Sequence, residues 1–595
     1  MRRLGEYDMI LNNKCCTHVR RGGKGPLSIS PALPEKLKGA PFNFSGIAGE
    51  IACLAQKMGP ETCGGEKSMG EWKRLLCGLM AVALLACALP AAHAAGGTVK
   101  IGNTVLAEGE NSIGGGTATL NTAAGTLALK NVVVSSGLFI RWASAFTITA
   151  SGMNSIAPAQ GVNAIYADAP ALAIRLQQDA SLTLAAQSGA NAVYCPSGSL
   201  TAAGPGSLNA SSLEYPALQA QGDVVLEAGL KAGLGSDSQA ICSLAGGVTV
   251  DSASLAAHSK DAAVYAGGAS TGGIYPGTSV VLRGSTVTLD VTQGYDAVWA
   301  AQGGIVVEDS VVEIQGRKDA NGGLALYSDG DIAIRGAGTQ LTAASTYGIS
   351  AVQNMTVEAG TLDVSAYDGD AFQAAAMQIS GGQVQAYSAT GRALCTTDGT
   401  LSITGAGTRV TAVSENAKRP TIYSYGTGGI FLDAGVSAEN TAGGRPFEGV
   451  DKTEGVSDAI TLGANCEAVG VKVHTVPEAP ATTTPGVRSW FVPADGGQAP
   501  GKVTVCRHVW GAPVWAWAGD YSAAAATFAC GNDAAHTRTV QATVTSETRG
   551  GSTVYTAVAT FEGKAYTDVK TMAGQQGGGT GGTAPAQKPN PKTGI

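Results

Sequence analysis

Two close pairs of acidic residues lie in the middle of the chain, and paired carboxylates are the groups that glycoside hydrolysis uses as acid and base. The pairs are Asp329 with Asp331, in SDGD, and Asp368 with Asp370, in YDGD. Aspartate beside glycine favours a turn, because its side chain bonds to nearby backbone. Between residues 96 and 440 the only histidine is His258, and no Gly-His-Gly or Asn-Thr-Asp string occurs. We therefore interpret the four aspartates as turn formers and predict a protein that is not an enzyme.

Cysteine and histidine occur together near the end of the chain, as Cys506 with His508 and Cys530 with His536. The Cys-x-His and Cys-x5-His spacings form a candidate zinc set, although Cys-x-His is unusual in zinc sites. An exported protein permits a disulfide. We predict a disulfide between Cys506 and Cys530, or two free thiols, and neither a metal nor another cofactor. The scattered cysteines show no metal spacing and are predicted to be free thiols: Cys195, Cys242, Cys395 and Cys466.

Aromatic residues recur directly after an apolar residue that is framed by small residues. They are Tyr166, Tyr194, Tyr265, Trp299, Tyr327 and Tyr423. If the apolar neighbours point inward, the aromatics point outward and form a row that Gln219, Ser350 and Gln373 interrupt. Solvent-facing aromatics suit a glycan or a protein partner. We predict that these six residues contact a ligand; in the alternative, they pack against loops or supply β propensity.

The apolar residues before these aromatics recur with a period near 23. The anchors, as we call them, are Ile165, Val193, Leu218, Ile241, Val264, Val298, Leu326, Ile349, Phe372, Leu394 and Ile422. A fixed period in this range is typical of a solenoid. Short alternating segments follow each anchor, such as Ile332–Ile334 and Leu362–Val364, and predict further strands in each repeat. The prediction is an all-β chain, a right-handed parallel β-helix followed by a small β-rich module; an antiparallel β-sandwich array is the alternative.

The composition agrees with exposed, stacked strands. Only 14% of the 595 residues are charged, 84 are glycine, and the formal net charge is −7. Small and β-branched residues with many turns favour strands over helices. The mature region contains no long basic run, so we expect no nucleic-acid partner.

One hydrophobic run, Leu75–Leu89, follows Lys73 and Arg74 and precedes an A-x-A pattern at Ala92-His93-Ala94. It is too short to span a membrane comfortably and predicts a secretory signal over residues 69–95, with no membrane span in the mature chain. Residues 1–68 resemble no targeting segment. We therefore predict that translation starts at Met69 and that residues 1–68 are a non-native leader. The Leu84–Cys87 segment also resembles a lipobox, which is the alternative for this region.

Composition divides the mature chain into four parts. The β-helix is predicted over residues 96–442 and a transition with a Pro/Thr linker over 443–486. A small module over 487–572 holds four of the seven tryptophans, and its alternating segments, Val540–Val544, Val554–Val558 and Ala565–Val569, predict strands. Residues 573–595 form a Gly/Pro-rich tail that ends in NPKTGI.

The segments TVKIGNTVL, TLALKNVVV and NAIYA resemble surface proteins of anaerobic gut bacteria, which are described as carbohydrate-binding-domain-containing β-helix proteins. WGAPVWAWAGDYS, ATFACGNDAAH and FEGKAYTD resemble a small β-rich module of the same class of proteins. NPKTG resembles the sortase motif, which implies cleavage between Thr593 and Gly594 and attachment to peptidoglycan. That motif precedes a membrane helix in its family, so the sequence is truncated or the match is fortuitous.

Together these features predict a secreted, cell-wall-associated surface protein that binds glycans or surface proteins through its β-helix. Two alternatives belong to other functional classes. One is a carbohydrate-active enzyme, a polysaccharide lyase or glycoside hydrolase, that uses an unrecognised carboxylate pair on the β-helix. The other is a passive wall spacer.

Overall fold

The structure is a computed structural model, which describes residues 97–270, 275–293, 295–319, 322–478 and 486–573. All the described strands belong to one compact unit, Gly96–Ile595. The predicted leader, the signal segment and the tail with Thr593 and Gly594 lie outside the described residues, as does most of the Pro/Thr linker.

The described chain is all-β, with a parallel β-solenoid of about 13 turns and a separate antiparallel sheet at its C-terminal end. This confirms the predicted fold class, and the parallel pairing contradicts the alternative of an antiparallel sandwich array. Each turn except the last contributes strands to three parallel ladders. No helix among the described residues is long and apolar enough to cross a membrane.

The first ladder, which we call the anchor ladder, contains one short strand from every turn. Its strands are Leu138–Arg141, Ile165–Asp168, Val193–Cys195, Leu218–Ala220, Ile241–Ser243, Val264–Ala266, Val298–Ala300, Leu324–Ser328, Tyr347–Ala351, Phe372–Ala374, Leu394–Thr396, Ile422–Gly426 and Phe447–Asp451. The eleven predicted anchors are direct partners in this register, and each is 0% exposed. Stacking of identical positions from turn to turn therefore builds one continuous apolar core.

The second ladder follows the anchor strand in every turn. Its strands are Phe146–Ser151, Ala171–Leu176, Ser199–Ala203, Val224–Glu227, Val248–Asp251, Thr278–Arg283, Gly304–Glu308, Ile332–Arg335, Asn354–Val357, Ala376–Ile379 and Ile460–Leu462. The third ladder completes the turn. Its strands are Val133–Val134, Met153–Ile156, Ser181–Ala185, Ser207–Ser212, Lys231–Ser236, Ser254–Ser259, Thr286–Val291, Val311–Gln315, Gln340–Ser345, Thr361–Ala366 and Gln383–Ser388. Two long strands, Leu401–Ser414 and Ile430–Asn440, contribute to both ladders.

Buried hydroxyl groups close the corners between the ladders. Ser243 Oγ donates to the carbonyl of Gly222 at 2.8 Å, and Ser328 Oγ donates to that of Gly303 at 2.8 Å. Both serines are 0% exposed and lie two residues after an anchor. A buried carbonyl without a partner is costly, so these hydroxyls stabilise the inside of the turn.

Antiparallel strands cover the first turn of the solenoid. Thr98–Ile101 pairs with Leu138–Arg141 and with Thr104–Val105. A meander of Gly109–Ile113, Gly116–Asn121 and Thr126–Lys130 pairs with the second ladder. These strands satisfy an edge that would otherwise present unpaired backbone groups.

The TLALKNVVV segment, residues 126–134, forms two strands and not one continuous strand. Thr126–Lys130 ends before Asn131, whose φ of 54° turns the chain, and pairing resumes at Val133–Val134. Asn131 Oδ1 also accepts a hydrogen bond from the Met153 amide at 3.1 Å. Asparagine tolerates this left-handed conformation better than most residues, which the hydrophobic pattern did not reveal.

Four strands cover the last turn, and we call them the cap strands: Cys466–Ala468, Val471–Pro477, Val487–Pro493 and Lys502–Arg507. Val487–Pro493 pairs antiparallel with the last anchor strand, and Lys502–Arg507 pairs with Ile430–Asn440 and Cys466–Ala468. Strand pairing with the solenoid therefore continues through Val505, and Arg507 pairs with Cys466 within the cap.

The terminal sheet consists of five antiparallel strands in chain order: Val514–Trp517, Ala524–Ala529, Thr537–Arg549, Ser552–Phe561 and Lys564–Ala573. They include the strands predicted around Val540, Val554 and Ala565. A small core of Ala526, Phe528 and Ala559 holds the sheet, with Phe528 stacked on Phe561 at 4.2 Å between ring centroids.

Candidate functional site

The residues that follow the anchors form one column along the outside of the solenoid, which we call the aromatic column. Strand register places the six predicted aromatics in this column, because each is the partner of the equivalent position in the next turn. Alternation along the strand turns them away from the buried anchors. All six are half-buried. Gln219, Cys242, Ser350, Gln373 and Cys395 occupy the positions between the aromatic groups.

The first group of the aromatic column contains one residue that the sequence analysis missed. Phe139 lies parallel to Tyr166, with ring centroids 5.1 Å apart and an interplanar angle of 4°. Tyr166 in turn meets Tyr194 edge-on at 5.8 Å. Phe139 follows Leu138, which precedes Ile165 by 165 − 138 = 27 residues, so the spacing of the anchors could have identified it.

The second group, which we call the aromatic trio, consists of Tyr265, Trp299 and Tyr327. Trp299 meets Tyr265 at 5.2 Å and 81°, and it meets Tyr327 at 6.4 Å and 63°. The Nε1 atom of Trp299 is buried and has no hydrogen-bond partner among the described residues. Such a donor is uncommon in a folded chain.

Two carboxyl groups lie beside the aromatic trio. Asp329 accepts a hydrogen bond from the Tyr327 hydroxyl at 2.7 Å, and burial together with this bond raises the pKa of Tyr327. Asp296 accepts a bond from the Leu324 amide at 2.7 Å. Burial raises the pKa of Asp296 from its ordinary value of 3.8 to about 6, and the bond from Leu324 only partly opposes this. The apolar ring faces of the trio therefore lie beside two carboxyl groups, each of which is held in place by a hydrogen bond.

The third group lies near the last turns and is rich in cations. The Arg392 guanidinium lies 4.5 Å from the ring centroid of Tyr423, and burial raises the pKa of this tyrosine to about 12. Trp490, which the sequence analysis missed, continues the column beside Glu448. The Arg445 guanidinium lies 4.0 Å from its ring. Cations over aromatic faces stabilise this end of the column and leave less ring surface for a ligand.

The paired aspartates take part in contacts between turns. Asp331 Oδ1 accepts bonds from the backbone and side-chain nitrogens of Asn354, at 2.9 and 3.0 Å. Asp370 accepts a bond from the Arg392 amide at 2.7 Å, and its side chain is only 7% exposed. Asp368 accepts a bond from Thr390 at 3.1 Å. These contacts fit the interpretation of the aspartates as turn residues.

His258 lies beside Asp290 on the outside of the third ladder, with Nδ1 and Oδ2 2.8 Å apart. Gly233 and Gly235 leave a shallow cavity of about 430 Å³ next to this pair. Ser211 belongs to the same row, but Gly235 separates it from His258 in the register. Ser211 and His258 are two strands apart, which places their backbones roughly 10 Å from each other. Ser211, His258 and Asp290 therefore do not form a nucleophilic triad in this geometry.

The cysteines and histidines near the end of the chain lie between the cap strands and the terminal sheet. Cys506 is on the cap strand Lys502–Arg507, and Cys530 follows the terminal strand Ala524–Ala529. Their Sγ atoms are 3.9 Å apart, and both residues are free thiols in the structure. The Sγ atom of Cys506 is also 3.9 Å from Nδ1 of His508.

The pKa values of the two thiols shift in opposite directions. Burial, followed by the neighbouring Cys530, raises the pKa of Cys506 to about 11. Burial also raises the pKa of Cys530, but hydrogen bonds from the backbone of Val509, from His508 and from the Asn532 amide outweigh it and lower this pKa to about 7. Cys530 is therefore the thiol that ionises first. Cys195, Cys395 and Cys466 are free thiols, as predicted.

The predicted repeat architecture is present as a β-solenoid, and the aromatic column is its most regular outward feature. Comparisons with protein-family models, curated proteins and solved structures found no match for this chain.

Proposed function

We propose that this chain is a non-enzymatic extracellular surface protein whose β-helix binds glycans or surface proteins through the aromatic column. The observation that supports this best is the aromatic trio, whose three neighbouring rings are half-buried on the outside of the solenoid. Ligand sites commonly combine aromatic faces with a few directed polar groups, and Asp296 and Asp329 supply such groups here. The apolar face of a sugar ring fits such a surface.

The repetition of the aromatic column adds to the proposal. Separate groups at Tyr166, at Trp299 and at Tyr423 lie along one elongated face. A polymeric ligand that meets more than one group gains affinity through effective concentration, even when each contact is weak. Multivalent contact is thus the proposed mechanism of adhesion.

The test is a glycan array probed with the purified chain and with Tyr265→Ala, Trp299→Ala and Tyr327→Ala. Loss of one aromatic side chain of the trio is expected to weaken glycan binding by about tenfold or more. Gln373→Ala is the matched control, because Gln373 lies in the same column outside the aromatic groups. Binding that is equal in all four variants and the unaltered chain would contradict the role of the trio.

Polysaccharide turnover distinguishes the alternatives in other functional classes. Release of reducing sugars or unsaturated products from a polysaccharide panel would contradict the proposal and show that the chain is a carbohydrate-active enzyme. Failure of both binding and turnover would favour a passive spacer. If the chain binds a protein partner and the same three variants lose that binding, the aromatic column is still the binding surface and its ligand is a surface protein.

We further propose the cellular context implied by the resemblances: a secreted protein of the gut-bacterial surface class, attached to peptidoglycan through the carboxyl group of Thr593 after cleavage of the Thr593–Gly594 bond. The signal-like segment over residues 69–95 and the NPKTG string support this proposal. N-terminal sequencing of the native precursor tests the start at Met69, and a peptide from residues 1–68 would contradict it. Thr593→Ala is expected to abolish sortase-dependent release of the chain with cell-wall fragments.

A further inference from the structure

The thiols of Cys506 and Cys530 and the imidazole of His508 converge at the junction between the cap strands and the terminal sheet. One ligand atom from each residue lies within 4.8 Å of the other two. Three chain segments bring them together. Cys506 pairs with Glu467 across the cap, the His508 amide donates to Asn465 at 2.7 Å, and the Cys530 amide donates to His536 at 2.9 Å.

The separation of the sulfur atoms matches that of two ligands on one metal ion. A disulfide requires sulfur atoms about 2.05 Å apart. Two thiolates at about 2.3 Å from a tetrahedral zinc ion are instead about 3.8 Å apart. The observed Sγ–Sγ distance is 3.9 Å, and Nδ1 of His508 is 3.9 Å from Cys506 Sγ.

The second nitrogen of His508 has the kind of partner that metal-binding histidines usually have. Its Nε2 atom lies 3.3 Å from Oε2 of Glu467, and the side chain is only 8% exposed. A carboxylate at this position fixes the ring and leaves Nδ1 free to face the thiols. The ring also stacks on Trp510 at 4.7 Å, which further restricts its rotation.

His536 is the candidate for a fourth ligand, and it lies next to His508 but outside the group of three residues whose ligand atoms are within 4.8 Å of one another. Its ring centroid is 5.2 Å from that of His508, and its Nε2 is 3.5 Å from Oδ2 of Asp533. Its Nδ1 atom is buried and has no hydrogen-bond partner among the described residues. A buried imidazole nitrogen without a hydrogen-bond partner is an independent indication of a missing ligand.

We infer that Cys506, His508, Cys530 and His536 bind one zinc ion, which joins the terminal sheet to the cap of the solenoid. Two thiolates and two imidazoles are a ligand set that suits zinc, and four protein ligands correspond to a structural site. Binding requires loss of the thiol protons, so the affinity rises with pH. The site is independent of the aromatic column.

The first experiment titrates the reduced, chelator-treated full chain with Zn²⁺ and, in parallel, with Co²⁺ as a spectroscopic probe. One metal ion per chain is expected, with the sulfur-to-cobalt charge-transfer absorption of a tetrahedral thiolate site. Cys506→Ser and Cys530→Ser are expected to lose this absorption. Cys466→Ser is the matched control, because Cys466 lies on a neighbouring cap strand and its Sγ atom faces Asp433 at 3.6 Å.

Two further variants test the detail of the site. Glu467→Gln is expected to weaken zinc affinity by roughly 10–100-fold, as loss of a supporting carboxylate commonly does. His536→Ala is expected to weaken zinc affinity and to alter the visible Co²⁺ spectrum, because water would replace an imidazole. A variant spectrum that equals that of the unaltered chain would remove His536 from the site.

Thiol alkylation of the unaltered chain keeps the inference testable even if a serine variant fails to fold. Zinc is expected to protect Cys506 and Cys530 from alkylation and to leave the rate at Cys466 unchanged. A reduced chain that binds no zinc would overturn the site. So would a disulfide-linked peptide of Cys506 and Cys530 from the chain exported by its own cells.

Discussion

The solenoid and the terminal sheet use strands of similar composition but bury them very differently. In the solenoid one apolar cluster extends without a break from Val99 to Val505. In the terminal sheet only Ala526, Phe528 and Ala559 form a buried cluster. The strand Thr537–Arg549 has no buried residue on either face. Each solenoid strand has one face inside the closed turn, whereas a single open sheet leaves most of both faces exposed.

This difference explains why the two regions need different stabilising elements. Each solenoid turn is stabilised by its neighbours, so stability accumulates along the repeat. A sheet with little core is marginal by itself and gains from a metal ion or a covalent link. The cluster of Cys506, His508, Cys530 and His536 lies where such a link would be most effective, at the junction of the terminal sheet with the cap.

The largest expected effect is in the solenoid core. Phe372→Ala is expected to lower the free energy of unfolding by about 3–5 kcal/mol, because Phe372 is fully buried and its loss leaves a cavity. Gln373→Ala, one residue further along the same strand, is expected to cost less than about 1 kcal/mol. Urea unfolding followed by circular dichroism measures both values. Equal losses in the two variants would contradict the assignment of inward and outward faces.

The second prediction concerns the terminal sheet. Zinc at 100 times its dissociation constant is expected to stabilise this sheet by about 2.7 kcal/mol, through mass action on the folded state. Hydrogen exchange should show the added protection in Ala524–Ala529 and Ser552–Phe561, with none in the solenoid. Cys530→Ser should abolish the effect. Equal protection of the terminal sheet and the solenoid by zinc would contradict the proposal that zinc stabilises the terminal sheet specifically.

The sequence was sufficient to predict the features that repeat. The period identified every anchor from Ile165 to Ile422, because burial on the inside of each turn demands an apolar residue at one position. The period did not identify Leu138 and Phe447, which continue the anchor ladder at its two ends. These two residues lack the usual frame of small residues. The rule that an aromatic follows an anchor also anticipated the column, since adjacent strand residues point to opposite faces.

Features that depend on contacts between distant segments were not predictable in the same way. The grouping of rings into the trio depends on the side chains that stack on Trp299, and the burial of Asp296 depends on the loops around it. The approach of Cys506 to Cys530 depends on how the terminal sheet lies against the cap. Spacing along the chain suggested the pair but contained no information on the 3.9 Å separation.

The third prediction uses pH to separate the two regions. The pKa of Asp296 is about 6 in the folded chain and 3.8 ordinarily, so folding takes up a proton between these values. Stability of the solenoid therefore falls as the pH rises through this window, by about 3 kcal/mol in total. Zinc binding at the terminal sheet has the opposite dependence, because the thiols must lose protons.

Asp296→Asn tests that assignment. The amide oxygen can still accept the bond from Leu324, and no charge is buried at neutral pH. The variant is expected to be more stable than the unaltered chain at pH 7 by about 3 kcal/mol and to show no loss between pH 4 and 6. Thermal unfolding at several pH values measures this. A variant that is less stable at pH 7 would show that the ionised carboxylate is favourable in its site.

The smallest expected effect lies in the ion pair that crosses the junction. Arg538 of the terminal sheet is 3.1 Å from Glu467 of the cap, and the two side chains are 60% and 49% exposed. Such exposed pairs contribute less than about 1 kcal/mol and are screened by salt. Arg538→Gln should therefore leave both stability and zinc affinity nearly unchanged, whereas Glu467→Gln should weaken zinc binding through His508. A double-mutant cycle measured with and without zinc separates the two roles of Glu467. If Arg538→Gln reduced zinc affinity as much as Glu467→Gln, charge across the junction, and not the His508 contact, would be what supports the metal site.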